Sequence, residues 1–527
     1  MTRLLLALSI GLATSHAAAQ QTINVPGDFA QLSDALNPAV SGIGDGDTVL
    51  VSFSSQLNAL PIAITVPNIT VRGTLPNAGA RFVGVTNAGT FFVVTSAGAG
   101  LTLENMTLEG GNANGGSSGI DGGAINADNT DIAIIGCVFR DNTADDDGGA
   151  IQVTGGTATI IGSTFVNNRA EDDGGAIFFA SATGIIHDCV FDGNSITPST
   201  DLASDNGGAV NGTGSNVTVT DSSFVNNSTN LNGGGLYFNG SVTEVSGCTF
   251  VNNTAELGGG LLYLGGASGT LSDSTFDGNT SNDDGGGVAV FDSTIDIDRC
   301  RVINNRSFGW GGGVLFQGGG GGPVVVSNSL IAGNRASLFG GGVHVFNGND
   351  LRVVGCTIVD NIAGVNGGGG GIRAFDLNQP VRVFNSIIRG NTPDQFPTNV
   401  TGIAFNCNIG DGELASETNI IDVDPLFVDA ANGDYRLAAG SPSIDAGSTQ
   451  DLAPSPNPVD ADAMPRVVNG SETPTGLPVF GVYVDHGAFE FQPADATPDC
   501  PADQNFDGQL TPADFNAWVL NFNTGCG

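Results

Sequence analysis

The sequence predicts an all-β solenoid, a right-handed parallel β-helix, from three observations. A Gly-Gly-apolar motif occurs ten times, at intervals of 25 to 33 residues and most often 26. A second motif, a Phe or Ile followed three residues later by Asn, returns with the same period. Short apolar strands alternate with Gly, Asn and Asp, and no helical periodicity competes with them. A fixed period in the twenties is typical of a coil whose laps pack on their neighbours.

The first 19 residues are predicted to be a secretory signal peptide. Arg3 is followed by an apolar run over residues 4–13 and then by small residues, Ala17 to Ala19, that suit a cleavage site. The run is too short to span a membrane, and no later stretch approaches 18 apolar residues. We therefore expect an exported protein, secreted or at the cell surface, with no transmembrane segment in the mature chain.

Residues 20–110 are predicted to hold an N-terminal cap and the first coils. Phe29, Leu32, Ala35 and Leu36 lie at helical spacing, which predicts a short amphipathic helix. Such a helix would cover the open end of the coil, as terminal repeats must. Weaker strands follow at residues 48–51, 62–66, 69–71 and 91–94.

Residues 111–450 contain the repeats. About three strands and three turns fill one lap, so equivalent residues stack ~4.8 Å apart on successive laps. We expect the Phe or Ile column to fill the interior and the Asn column to form a hydrogen-bonded ladder. The ladder residues are Asn142, Asn168, Asn194, Asn227, Asn253, Asn279, Asn305, Asn334, Asn361 and Asn391.

Cysteine and serine alternate in the column two residues before the Phe or Ile. The column reads Cys137, Ser163, Cys189, Ser222, Cys248, Ser274, Cys300, Ser329, Cys356 and Ser386. Two thiols are then two laps apart, about 9.6 Å, whereas a disulfide needs Cα atoms within about 7 Å. These five cysteines are predicted to be free and buried.

The repeats resemble those of polymorphic outer-membrane and adhesin-like proteins, with motifs such as Gly148-Gly-Ala-Ile151 and Phe165-Val-Asn-Asn168. The resemblance covers roughly residues 120 to 392 and implies a surface-exposed β-helix. Residues 451–492 form a predicted closing segment. Its Asp485-His-Gly-Ala-Phe-Glu490 is similar to the end of bacterial surface β-helix proteins, which implies a location outside the cell.

Residues 493–527 are predicted to be a separate calcium-binding module. A 12-residue loop of the form Asp-x-Asn-x-Asp-Gly offers oxygen ligands that suit Ca²⁺, and an Asx-rich turn is the alternative. The ligands are Asp503, Asn505, Asp507, the Gln509 carbonyl, Thr511 and Asp514. A helix with an apolar face follows, containing Phe515, Trp518, Val519 and Phe522. Cys500 and Cys526 flank the module and, in an exported chain, are predicted to pair.

The module resembles half of a dockerin and the C-terminal dockerin-like anchors of planctomycete proteins. That resemblance implies calcium at the matched positions and an anchor partner, either a cell-surface or extracellular protein or a polysaccharide. Dockerins carry two such repeats and this chain has one, with Pro512 and Ala513 in place of the Ser-Thr pair associated with cohesin binding.

Charge limits the partners. The chain has 15 Arg, no Lys and 53 acidic residues, a net charge of −38, which argues against nucleic acid. An acidic polysaccharide is also disfavoured unless calcium bridges it.

We expect an adhesin-like or polysaccharide-binding protein. A polysaccharide lyase or glycoside hydrolase of the pectate-lyase-like class is the first alternative, and a passive spacer the second. Whether it is an enzyme stays open, with the balance against, because the three His of the mature chain are far apart in sequence.

Two candidate sites lie in the column of residues that precede each Gly-Gly. At one end, Asp121, Asp147 and Asp173 form an acidic row whose mutual repulsion must be relieved by salt, raised pKa values or a cation such as Ca²⁺. Solvated surface charge is the plainer interpretation. At the other end, Trp310 and Phe339, with Phe308 nearby, are expected to form an exposed aromatic platform that stacks on sugar rings.

Overall fold

The computed structural model describes residues 20–491, apart from gaps at residues 26, 29, 53–54, 58–60, 76–79, 85–88, 96–97, 114–120, 198–204, 319–322, 348–349, 365–367, 378–379, 397–401, 411–415, 449–458, 463 and 465–483. Within these residues the chain is a parallel β-solenoid of about twelve turns, as the sequence predicts. No helix in the described part of the chain is long and apolar enough to cross a membrane.

One lap begins with a four-residue strand that starts one residue after Gly-Gly. A kink at a residue with positive φ leads to a five-residue strand, and a second kink leads to a three-residue strand. The ladder Asn follows and turns the chain towards the next Gly-Gly. Successive laps pair in parallel without register shifts in this region, so Phe139 lies opposite Phe165 and Phe165 opposite Phe191.

The first strands of the laps form a twelve-stranded sheet. Its members are Ile62–Ala63, Phe92–Val94, Ile125–Asp128, Ile151–Thr154, Ile177–Ala180, Val210–Thr213, Leu236–Asn239, Leu261–Leu264, Val288–Phe291, Val314–Gln317, Val343–Phe346 and Ile372–Phe375. Short strands near the ladder form two small sheets. One contains Arg169–Ala170 and Ser195–Ile196, and the other contains Thr254–Ala255, Thr280–Ser281, Arg306–Ser307 and Arg335–Ala336.

The other two strands of each lap belong to one bent, 29-stranded sheet. Its second strands are Thr22–Val25, Thr48–Val51, Ile69–Gly73, Gly100–Glu104, Asp131–Ile135, Thr157–Ile161, Thr183–His187, Asn216–Thr220, Val242–Ser246, Ser268–Ser272, Thr294–Asp298, Pro323–Ser327, Asp350–Val354, Val381–Phe384, Gly402–Ile409 and Ser416–Ile421. Its third strands are Ser55–Leu57, Ala80–Gly84, Met106–Glu109, Val138–Arg140, Thr164–Val166, Val190–Asp192, Ser223–Val225, Thr249–Val251, Thr275–Asp277, Arg301–Ile303, Leu330–Ala332, Thr357–Val359 and Ile387–Arg389.

The predicted interior columns are confirmed. Six buried Phe rings, from Phe139 to Phe276, stack with centroids 4.4 to 4.9 Å apart and planes within 7°. Each ladder Asn is buried and donates its amide nitrogen to the Oδ1 of the next Asn at 2.9 to 3.0 Å. Gln395 ends the ladder by accepting from Asn391. Stacking of identical residues therefore satisfies every buried amide in this column.

The prediction for the cysteine column is also confirmed, since all five thiols are buried and free. Cys407 extends the alternation by one lap and is likewise buried and free. The Cys137 backbone N–H donates to Ser163 Oγ at 3.1 Å, and the same bond recurs from each of the other four cysteines to the serine of the following lap. The serine hydroxyls thus accept bonds along the stack while the thiols fill space.

The N-terminal helix is shorter than the spacing predicts. One turn spans Leu32–Ala35 and a second helical turn spans Pro38–Ser41, while Phe29 lies outside the described residues. Leu32, Ala35 and Leu36 are buried in the main core, but the role of this helix as a cap stays a prediction.

The coil ends earlier than residue 450. Its last parallel strand stops at Ile421, and an antiparallel hairpin follows, Phe427–Asp429 and Asp434–Leu437, joined by the 3₁₀ turn Ala430–Asn432. The hairpin and the closing segment pack on the coil, where Leu437 and Phe489 form one buried cluster with Leu330 and Val359. Pairing across these distant parts of the chain leaves no periodic signal in the sequence.

Candidate functional site

Three residue columns line the outside of the twelve-stranded sheet, and we call this surface the outer face. The turn column precedes each Gly-Gly: Asp121, Asp147, Asp173, Asn206, Asn232, Leu257, Asp284, Trp310, Phe339 and Gly368. The middle column lies on the strands: Asn126, Gln152, Phe178, Asn211, Tyr237, Leu262, Ala289, Leu315, His344 and Arg373. The outer column lies two residues further along each strand and ends with Gln317, Phe346 and Phe375.

The first glycine of each motif lets the turn column lie close to the middle column. Gly340 has φ +66°, and a Cβ there would lie 2.6 Å from the Cβ of His344. Only glycine tolerates both the left-handed backbone and this close approach. As a result most middle-column side chains are buried, although they point away from the core of the coil; His344 is 3% exposed.

The acidic end of the outer face contains the predicted row of Asp121, Asp147 and Asp173. The amide that follows Asp121 donates to the carbonyl of Asp147 at 2.9 Å, which fixes the stacking of the laps. The Asp173 backbone N–H donates to Asp147 Oδ1 at 3.2 Å. Asn206 continues the row and donates its side-chain amide to Asp173 Oδ1 at 2.9 Å. Backbone and side-chain hydrogen bonds therefore connect the residues of the row.

Burial and mutual repulsion raise the pKa values of this row. The pKa of Asp147 is raised to about 8, first by burial and then by the charges of Asp173 and Asp146. Burial raises the pKa of Asp173 to about 7, although bonds from Asn206 oppose the shift. Burial followed by the charge of Asp121 raises the pKa of Asp146 to about 6. Near neutral pH the row binds protons, so its carboxylates are not all charged.

Protons are one way in which the row relieves its repulsion. Within the described residues, no group of three or more His, Cys, Asp or Glu side chains is placed to hold a metal ion. Calcium along the row of Asp121, Asp147 and Asp173 stays a prediction.

The opposite end of the outer face is an aromatic cradle, formed by Trp310, Phe339, His344, Phe346, Arg373 and Phe375. The Trp310 ring lies 5.5 Å from His344, 5.9 Å from Phe346 and 6.3 Å from Phe339, measured between centroids. The Arg373 guanidinium lies 5.2 Å from the Phe339 centroid and 5.8 Å from that of Phe375. Both distances are in the range of cation–π contacts.

The expectation that the whole aromatic platform is exposed is wrong in part. Phe308 is 45% exposed, but Trp310 and Phe339 are half-buried. The glycine geometry explains the difference, because it brings the turn column over the middle column. Trp310 also packs beside an apolar cluster that includes Leu262 and Leu315. The freely exposed ring at the far side of the cradle is Phe375, at 50%.

Two buried nitrogens of the cradle lack a hydrogen-bond partner in the described structure. They are Nε1 of Trp310 and Nδ1 of His344. Burial, and then the charge of Arg373, lower the pKa of His344 to about 3, so its ring is neutral at physiological pH. A buried polar atom without a partner is costly, and a ligand hydroxyl is one way to satisfy it.

Arginine is concentrated in the part of the sequence that contains the cradle. Residues 301–389 contain seven of the 15 Arg and only three of the 53 acidic residues. Arg301 pairs with Asp462 and Arg389 with Asp422, both at the far side of the coil near the closing segment. The net charge of residues 301–389 is thus positive, although Asp284 on the preceding lap accepts from the Trp310 backbone N–H at 2.6 Å.

Sequence reasoning missed His344 and Arg373. Both stand four residues after the first glycine of their motif, and aligning the ten laps on that glycine would have placed them in one column with Leu315. The predicted calcium ligands Asp503, Asn505, Asp507, Gln509, Thr511 and Asp514, and the predicted pair Cys500 and Cys526, lie outside the described residues.

Comparison with solved structures finds several β-helix proteins at low similarity. A periplasmic alginate epimerase aligns with 12% identity and a TM-score of 0.42, covering 69% of this chain and 81% of that one. A thermostable α-1,3-glucanase from Streptomyces thermodiastaticus aligns with 14% identity and a TM-score of 0.38, covering 78% of this chain and 69% of that one. Pectate lyase Pel9A aligns with 13% identity and a TM-score of 0.28, covering 90% of this chain and 98% of that one. Identities and TM-scores this low carry no information on the activity of this chain.

No curated protein sequence matches the chain. The family described as the right-handed β-helix region matches residues 87–280, 204–358 and 262–423. Since these overlapping matches extend over more than half of the 527 residues, the chain belongs to the right-handed β-helix family.

Proposed function

We propose that the protein is an exported glycan-binding protein whose ligand lies across the aromatic cradle. The observation that carries the proposal is the cradle itself, in which half-exposed rings surround two buried nitrogens without partners. Aromatic faces pack against the C–H faces of sugar rings, while the Nε1 donor of Trp310 and a ring nitrogen of His344 suit sugar hydroxyls.

Binding fits the cradle better than catalysis. A general base works best when its pKa lies near the operating pH, and a His344 pKa of about 3 makes the ring a weak base. The lyase or hydrolase alternative predicts new chain ends when a bound glycan is incubated with the protein. The spacer alternative predicts that no glycan binds.

Replacing Phe375 with Ser is expected to weaken glycan binding about tenfold or more, because the ring is a half-exposed wall of the cradle. Phe308→Ser tests the exposed part of the predicted platform in the same way. Ligands are first found on a glycan array, and affinities are then measured by calorimetry. Trp310→Ala is less informative, since its ring also stabilises the fold.

The matched control is Val242→Ser, which removes an apolar residue that is 58% exposed and belongs to the other sheet. It should bind like the unmodified protein, and all three variants should melt at similar temperatures. Equal affinity in Phe375→Ser and the control, with glycan still bound, would place the binding site elsewhere.

The C-terminal module is proposed to attach or assemble the protein through calcium. Six oxygen ligands between Asp503 and Asp514 fit an EF-hand-like loop, and the helix after it has an apolar face suited to docking. An adhesin-like protein held at the cell surface by such an anchor is consistent with an N-terminal export signal. The docking partner is another protein or the chain's own last coil.

Calcium is expected to change the fluorescence of Trp518, because closing the loop orders the helix that carries this residue. The chain has two Trp, so the titration is made in a Trp310→Phe background with EDTA as the reverse step. Asp503→Ala with Asp507→Ala should abolish the change. An unchanged spectrum in the intact module would remove calcium from the proposal.

A further inference from the structure

A pair of stacked arginines borders the aromatic cradle. Arg306 and Arg335 are paired in parallel register on neighbouring laps, ~4.8 Å apart along the coil. The residues that follow them, Ser307 and Ala336, are buried, whereas both arginines are exposed. The two guanidinium groups therefore project from the same side of the small sheet that leads into the turn column.

Among the described residues, this pair has no carboxylate within ion-pair distance. The ion pairs among the described residues do not include Arg306 or Arg335, although acidic residues outnumber Arg by more than three to one in the chain. Like charges directly opposite one another on neighbouring strands are destabilising. A negatively charged group bound between them would relieve the repulsion.

Exposed apolar side chains continue the same surface. The Arg306 guanidinium lies 4.1 Å from the Phe308 ring centroid, and Phe308 is two residues before Trp310. Leu338, directly before Phe339, is 49% exposed. Its backbone N–H donates to the carbonyl of the residue after Phe308, at 3.0 Å, so the two exposed apolar positions lie on adjacent laps.

We infer that this strip, Arg306, Phe308, Arg335 and Leu338, binds the acidic groups of an anionic polysaccharide. The inference rests on the proposed function and names the class of its ligand. Carboxylate or sulfate groups would pair with the two arginines while sugar faces pack on Phe308 and in the cradle. The net charge of −38 argues against such a ligand for the chain as a whole, but residues 301–389 contain seven Arg and only three acidic residues.

The test compares Arg306→Gln/Arg335→Gln with Arg140→Gln/Arg169→Gln, in the full mature chain. The control pair removes the same charge from two exposed arginines on earlier laps. Both are probed with an array of uronate-containing, sulfated and neutral glycans. The strip variant is expected to lose acidic-glycan binding about tenfold or more, and the control to keep it. Binding should also weaken as salt is raised, and more steeply in the control than in the strip variant.

The glycan classes on the array distinguish the possible ligands, and the two variants show whether the inference fails. If the unmodified protein binds uronates alone, or sulfated glycans alone, that result identifies the acidic group that the arginines bind. Preference for neutral glycans, or equal losses in both variants, overturns the inference and leaves the proposed function standing. Absence of binding to every glycan class overturns both.

Discussion

Replacing Asn253 with Ala is expected to lower the free energy of unfolding by about 4 kcal/mol or more. Its side chain is fully buried and makes four hydrogen bonds. Nδ2 donates to the Phe224 carbonyl and to Asn279 Oδ1, both at 2.9 Å. Oδ1 accepts from the backbone and side-chain amides of Asn227, both at 3.0 Å. The substitution removes bonds to groups on the two flanking laps, and each buried group left without a partner costs about 1–3 kcal/mol.

The control is Asn216→Ala, in which an exposed Asn at the start of a strand is removed. It should change the denaturation midpoint little, since exposed substitutions of this kind usually lie within about 0.5 kcal/mol. The thermal and denaturant unfolding midpoints of both variants are compared with those of the unmodified protein. If the two variants unfold together, the ladder contributes no more than surface asparagines do.

The ladder was predictable because parallel laps stack equivalent residues. A residue type that recurs at one position of every lap, as Asn142 to Asn391 do, must touch itself on both sides, whatever the details of the turns. The same logic predicted the free cysteines from spacing alone. Interior columns carry this information because a buried position tolerates few residue types.

The aromatic cradle was less predictable because the outer face does not repeat. The middle column changes from Asn126 to Tyr237 to His344 along the coil, so no period marks it as one surface. The burial of Trp310 depends on a left-handed glycine in a turn, a geometric effect that residue type alone does not reveal. Variation on a regular scaffold is where function is expected, and it is also where pattern analysis has least to work with.

The closing segment was recognised by resemblance, but its position was not predictable. Its contacts join residues far apart in the chain, as when the Ala488 backbone N–H donates to Thr357 Oγ1 at 2.9 Å. Asp485 Oδ1 accepts from the Asp445 backbone N–H at 2.7 Å. Bonds of this kind depend on where the last laps end in space, which the period does not determine.

Replacing Asp147 with Asn is expected to stabilise the protein at pH 8 and to have little effect at pH 4. The folded-state pKa of Asp147 is about 8, against an ordinary value of 3.8, so the folded state binds the extra proton throughout this interval. Folding stability linked to that proton is present below pH 3.8 and is lost as the pH rises through 8. Asn resembles the protonated carboxyl group, so the variant avoids the loss.

The expected gain at pH 8 is about 2–4 kcal/mol, less than the full linkage value because Asp173 and Asp146 titrate with Asp147. The chain already uses this solution, since Asn206 and Asn232 occupy the next two places in the turn column and bond to each other at 2.6 Å. An Asn at position 147 can still accept from the Asp173 backbone N–H.

Melting temperatures of the parent and Asp147→Asn are compared between pH 4 and pH 9, with Asp145→Asn as the control. Asp145 is exposed and two residues away, and its charge is only the smallest of the causes that raise the pKa of Asp146, so its substitution removes the same charge with much less relief of the row. A difference that grows with pH in Asp147→Asn alone supports proton relief. A difference that is flat with pH would mean that the row ionises like ordinary surface carboxylates. Adding calcium at pH 8 then tests the cation alternative, because a bridging ion would stabilise the parent and lose that effect when Asp147 becomes Asn.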